Sequence, residues 1–142
     1  MATLKKILAP TDLSDLSATG VRYATQLARD QGAELIILNV VALDESNRVD
    51  NQDLERHRIR LDSFLSDKAA DVSANAKIRK VVDAGDAYGA ILDCADSEHV
   101  DLIVMSSHGR SGLSRMLIGS VTDKVIRGAS CPVLVVPVKK RN

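Results

Sequence analysis

The most constraining feature of this chain is a regular alternation of short apolar runs with longer amphipathic stretches. Lys5 to Pro10 (KKILAP) is a brief apolar run closed by proline and predicts a strand. Thr11 to Ser14 supplies polar turn and helix-cap chemistry. Leu16, Tyr23 and Leu27, with the small Ala18, Ala24 and Ala28, then recur at helical spacing up to a stop at Gly32. Ala33 to Val41 (AELIILNVV) is almost continuously apolar, as expected of a strand covered on both faces. Asp44 to Gln52 is polar and reads as a surface loop. A long helix follows, with Leu54, Leu61, Phe64, Leu65, Ala69 and Val72 on one side.

The alternation continues to the C-terminus. Lys77 to Val82 predicts a third strand, with Gly85 and Asp86 as turn and N-cap. Ala87, Ile91, Leu92, Cys94 and Ala95 mark a short helix, and Asp101 to Met105 (DLIVM) a fourth strand. Ser106 to Met116, rich in Ser and Gly, reads as a loop. Leu117, Ile118, Val121, Val125 and Ile126 carry a last helix whose core face begins at Ile118 and Val121 and which ends near Gly128. Cys131 to Val138 (CPVLVVPV) closes the chain as a fifth strand. The order β-α-β-α-β-α-β-α-β predicts a three-layer α/β/α domain over residues 1–142, with a parallel sheet between helices and right-handed crossovers. Pro132 and Pro137 suit a strand at the sheet edge, where a missing donor costs little. The LVV between them is apolar enough to invite another chain.

Composition excludes several functions. Lys plus Arg and Asp plus Glu both number 19, so there is no broad attraction to nucleic acid or anionic membrane. The basic ERHRIR segment is interleaved with Asp53, Glu55 and Asp62, as on a solvated helix face. One Phe, two Tyr and no Trp leave no stacking platform or aromatic cage. Cys94 and Cys131 form neither a disulfide framework nor a metal-ligand spacing, and they read as half-buried thiols in a reducing compartment. No stretch approaches the roughly 20 apolar residues that span a bilayer, and the N-terminal apolar run is too short for a signal peptide. The expected location is the cytoplasm.

In an open parallel sheet, ligands sit beyond the carboxyl ends of the strands, where strand order reverses. The segment there runs Ser106-Ser107-His108-Gly109-Arg110-Ser111-Gly112 and on to Gly119-Ser120. Glycines let backbone N–H groups approach an anion, a helix start adds its dipole, and Arg110 offers a planar fork. Glycine content alone fits a plain surface loop as well as a phosphate cradle. Neither the Walker pattern nor the dinucleotide GxGxxG pattern is present. Asp12, at the end of the first strand, fits a turn carboxylate and equally an acceptor for a ribose hydroxyl or an adenine amine. His108 has no carboxylate partner legible in sequence, so a structural or phosphate-contact role outweighs that of a general base. His57 and His99 receive no role.

The segments KKILAPTD, ELIILNV and DLIVMSSHGRSGLSRMLIGSVTDKVIRGASCPVLVVPV together resemble the universal stress protein family over essentially the whole chain. Its nucleotide-binding members carry Gly, two residues, Gly, nine residues, Gly, then Ser or Thr. Gly109, Gly119 and Ser120 match this pattern, and Ser106 stands at the first glycine position. The resemblance implies a five-stranded sheet of order 3-2-1-4-5 and a homodimer paired through Pro132 to Val138. It implies ATP or AMP across the first and fourth strand ends, with Mg²⁺ as a companion of ATP. Pro10, Thr11 and Asp12 match the nucleoside contacts, and Val40 matches the main-chain reader of adenine. Met105, Ser106 and Gly109 match the ribose side. Gly109, Arg110, Gly119, Ser120 and Val121, with His108 nearby, match the phosphate loop, where the Gly119 N–H is expected to face the anion. Ser106 would either be strained in a left-handed conformation or set its hydroxyl near the ribose. The expected protein is a stress-response regulator without metal or catalytic residues of its own. A nucleotide-free scaffold and a slow ATP hydrolase are the alternatives.

Overall fold

A computed structural model describes residues 3–70, 77–108 and 118–138. The strands are β1 (Lys6–Pro10), β2 (Glu34–Val41), β3 (Lys77–Ala84), β4 (Leu102–Ser106) and β5 (Val133–Val136). The helices between them are α1 (Asp15–Gln31), α2 (Asn51–Lys68), α3 (Ala87–Ser97) and α4 (Ser120–Gly128). All strand pairs are parallel, and the five-stranded sheet has the order β3-β2-β1-β4-β5, as the resemblance implies.

The apolar run of β2 divides between the two faces of the sheet. Leu35 and Ile37 join Ile7 and Ala9 under α1 and α2, against Val21, Ala24, Leu61 and Phe64. Ile36 and Leu38 join Leu8 and Ile103 under the other helices, against Ile91, Ala95 and Val125. Because successive side chains of a strand point to opposite faces, a strand buried on both sides has to be apolar throughout.

Local chemistry fixes the helix ends. Ser14 caps α1, its hydroxyl accepting from the Ser17 N–H, and Gly32 ends that helix in the left-handed conformation at φ 65°. Asp50 and Asp86 cap α2 and α3 through their carboxylates. Gly85, at φ 136°, turns the chain out of β3.

Several expectations need correction. β3 runs to Ala84 because its last residues pair with Val40 and Val41. Ser106 is the last residue of β4, paired with Val136, and not a loop residue. β5 is only Val133–Val136, lying between the two prolines. The buried stripe of α1 consists of Ser17, Ala18, Gly20, Val21, Ala24, Thr25 and Ala28, while Tyr23 is exposed. Small residues line that stripe because α1 lies close on β4. Ile118 precedes α4 and is 45% exposed, so the core face of that helix does not begin there, and Ile126 is also exposed. Val72 and Leu117 lie outside the described residues. Cys94 and Cys131 are free and half-buried, and burial pushes both thiols above their ordinary pKa. No helix among the described residues is long and apolar enough to cross a membrane.

Candidate functional site

The carboxyl ends of β1 and β4 part where the strand order reverses, and a cleft of about 280 Å³ opens there. Pro10 ends β1, and the Thr11 N–H closes the β1–β2 ladder on the Leu38 carbonyl at 2.8 Å. The following turn is held by its own side chains. Thr11 Oγ1 accepts from the Leu13 N–H at 3.0 Å and lies 2.7 Å from Ser17 Oγ. Asp12 Oδ1 accepts from both the N–H and the hydroxyl of Ser14. Leu13 takes the left-handed conformation at φ 67°, which lets this turn fold tightly over the start of α1. Asp12 is therefore a turn carboxylate that also lines the cleft.

Val40 contributes main chain. The Leu38 carbonyl points toward β1, and the Val41 carbonyl points the other way, accepting from the Gly85 N–H at 2.9 Å. The N–H and C=O groups of one residue share a side of the strand, and residues two apart point alike. Val40 thus directs both groups to the β1 side, one step past the point where β1 ends at Pro10. A donor and an acceptor stand side by side on the wall of the cleft.

The opposite wall is Met105, Ser106 and His108, followed by the start of α4. Gly119 is the N-cap of α4, has φ −58° and ψ 151°, and makes no side-chain cap. The first helical bond runs from the Asp123 N–H to the Gly119 carbonyl at 2.9 Å. The N–H groups of Ser120, Val121 and Thr122 therefore lack intrahelical acceptors, and all three residues line the cleft. The expectation that the Gly119 N–H faces a phosphate is corrected: it donates to the Ser107 carbonyl at 2.8 Å. His108 is 5% exposed, and its buried Nε2 has no hydrogen-bond partner. An uncapped helix start beside a buried, unpaired imidazole nitrogen is suited to an anionic oxygen.

Ser106 follows neither expected course. It is not among the residues with positive φ, and its hydroxyl faces α1, accepting from the Gly20 N–H at 2.8 Å and approaching the Ser17 carbonyl at 3.3 Å. Its carbonyl accepts from Thr122 Oγ1 at 3.1 Å, which ties α4 to β4.

One cleft thus collects Pro10, Thr11, Asp12, Val40, Met105, Ser106, His108, Gly119, Ser120 and Val121. Gly109 and Arg110 lie outside the described residues. Sequence reasoning missed Ser17, Leu38, Thr122, Ala87 and Ile91, which also line it. One of these was within reach of the capping signals: Ala87 follows the Asp86 cap. A second cleft lies beside Asn39, Asp53 and His57 and shares Asp12 and Val40 with the first. There the Asn39 amide donates to the Thr11 carbonyl at 3.0 Å and steadies the end of β1.

The model of the universal stress protein family matches residues 3–137. The chain belongs to the universal stress protein family. It is 30% identical to universal stress protein MJ0577 of Methanocaldococcus jannaschii, over 97% of this chain and 96% of that relative. The solved structure of MJ0577 superposes with a TM-score of 0.81, covering 99% of this chain and all of that one. A universal stress protein solved in complex with cAMP is 26% identical, with a TM-score of 0.76 over 95% of this chain and 98% of the other. Universal stress protein YxiE of Bacillus subtilis is 32% identical, over 92% of this chain and 97% of the relative.

Proposed function

We propose that this universal stress protein is a cytosolic regulatory homodimer that holds an adenine nucleotide, ATP or AMP, in the cleft between the β1 and β4 ends. The observation that carries the reading is the opposition of two kinds of recognition chemistry across one cleft of about 280 Å³. On one side, Val40 offers a backbone C=O and N–H together. Adenine presents an exocyclic amine donor beside a ring-nitrogen acceptor, and the pair answers both. On the other side, the uncapped start of α4 and His108 Nε2 answer a phosphate. Asp12 lines the same cleft and offers its carboxylate to a ribose.

The related protein solved with cAMP supports the ligand class. Ser106, the one departure from the nucleotide-binding pattern, has its hydroxyl engaged by α1 and so argues neither for a nucleotide-free scaffold nor for a bound nucleotide. Mg²⁺ would come with ATP, through its phosphates. Among the described residues, no group of three or more His, Cys, Asp or Glu side chains is placed to hold a metal ion.

The test uses protein purified without added nucleotide. On denaturation it should release adenylate in an amount approaching one per chain. Protein that releases none, and that takes up neither ATP nor AMP in a titration, would overturn the reading.

A further inference from the structure

Ser107 is not part of the nucleotide-loop pattern and does not line the cleft, yet it holds the one cleft side chain that has an unpaired buried nitrogen among the described residues. Its hydroxyl has two neighbours. The Val138 N–H donates to Ser107 Oγ at 3.0 Å, and His108 Nδ1 lies 3.0 Å from the same oxygen. A backbone N–H can only donate, so the Val138 contact uses an Oγ lone pair. The hydroxyl proton is left with Nδ1 as its acceptor among the described residues.

Two neutral forms of the ring can be compared by counting unmet groups. If Ser107 donates to Nδ1, the ring proton sits on Nε2, and only that N–H lacks a partner. If Nδ1 carries the proton and donates to Oγ, both the Ser107 proton and the Nε2 lone pair are unmet. Unmet buried polar groups are costly, so the first form prevails. His108 is 5% exposed and lines the cleft, and its Nε2 is buried without a hydrogen-bond partner.

The geometry points to Ser107 as a positioning residue: it fixes the His108 tautomer so that Nε2–H stands ready as a donor to an anionic oxygen of the bound ligand. This rests on the nucleotide reading of the cleft and adds to it a device that separates phosphorylated from unphosphorylated ligands. The donor shares the cleft with the uncapped N–H groups of Ser120 to Thr122, which likewise give hydrogen bonds and ask for negative charge. Adenosine offers nothing there, and AMP does.

The experiment has two arms on the full chain, with thermal melts as a fold control. The first is ¹⁵N imidazole spectroscopy of the nucleotide-free protein with a neutral ring. The expected signature for His108 is a pyrrole-type Nε2 and a pyridine-type Nδ1. In Ser107→Ala the share of this tautomer should fall toward the mixture of a free neutral imidazole, and in Ser107→Thr, which keeps the hydroxyl, it should return. The second is titration of AMP and adenosine. Ser107→Ala should weaken AMP by roughly tenfold or more, the scale of a charge-assisted hydrogen bond, and leave adenosine within about twofold. Ser107→Thr should restore AMP affinity. A proton on Nδ1 in the parent protein would overturn the proposal, as would equal losses for AMP and adenosine. If neither ligand binds the parent, the nucleotide reading fails, and the tautomer spectrum still decides whether Ser107 sets the ring.

Discussion

At Ser106 and Gly20 two small residues from distant parts of the chain face each other across the α1–β4 contact. A Cβ on Gly20 would fall 2.7 Å from the Ser106 nitrogen, 2.9 Å from its Oγ and 3.1 Å from the Met105 carbonyl carbon. Two of these neighbours are backbone and cannot rotate away. Gly20→Ala is expected to destabilise the protein by about 1–3 kcal/mol, the usual cost of overpacking. Adding Ser106→Gly should recover only part of this, because the backbone nitrogen stays in place. Denaturant melts of the two single variants and the double variant measure it, and full recovery would mean that the hydroxyl alone sets the spacing. Ser106→Gly by itself should leave AMP affinity within about twofold, since its hydroxyl bonds to α1 and a bond to the ligand would count for about tenfold. None of this was legible in the sequence. The departure from the family pattern at Ser106 is visible there, but its companion glycine lies 86 positions away. His108 was legible as a candidate. The engagement of the Gly119 N–H by Ser107 was not, because a residue inside a glycine-rich segment gives no sign of which donors are already taken.

The two edges of the sheet differ as elements. β3 carries Lys77, Arg79 and Lys80. Arg79 bonds to Glu34 and Glu98, and Lys80 bonds to Asp62. Charged edges of this kind discourage pairing with other chains. β5 is VLVV, bonded to β4 on one side only, and its residues other than Val136 are only partly buried. Pro132 and Pro137 bound it without blocking the hydrogen-bonding groups between them. A second copy of the chain pairing at this edge would cover it. If the protein is the homodimer proposed, Val135→Lys is expected to convert it to monomer or to insoluble material in sedimentation, and an unchanged dimer would exclude the edge as the interface. The elements themselves were legible because apolar runs and 3.6-residue spacing alternate so regularly. Their ends were less so. Apolar residues at Cys131 and Val138 extend the pattern of β5 past the pairing its prolines permit, and Ile118 continues a helical pattern that begins only after Gly119.

At the scale of the whole molecule, strand order decides where the site lies. Local patterning predicts a parallel sheet but not which strands adjoin, and the order came from the resemblance alone. The structure supplies a physical anchor for the central pair: the Asp101 carboxylate accepts from the Lys5 and Lys6 N–H groups at 2.9 and 3.0 Å, which pins the start of β4 against β1. With β1 flanked by β2 and β4, the strand order reverses at the carboxyl ends of β1 and β4, and the cleft opens there. Under the proposed function the base is read at Val40 and the phosphate at α4, on separate elements held by one sheet. The most direct test of that division of labour is a calorimetric comparison of AMP with GMP, which share their sugar and phosphate. Guanine reverses the donor and acceptor on the edge facing Val40 and leaves buried groups unpaired, at about 1–3 kcal/mol. AMP should therefore bind the parent protein roughly fivefold to a hundredfold more tightly than GMP. Equal affinity for the two would contradict base recognition by the Val40 main chain, and with it the account of the cleft.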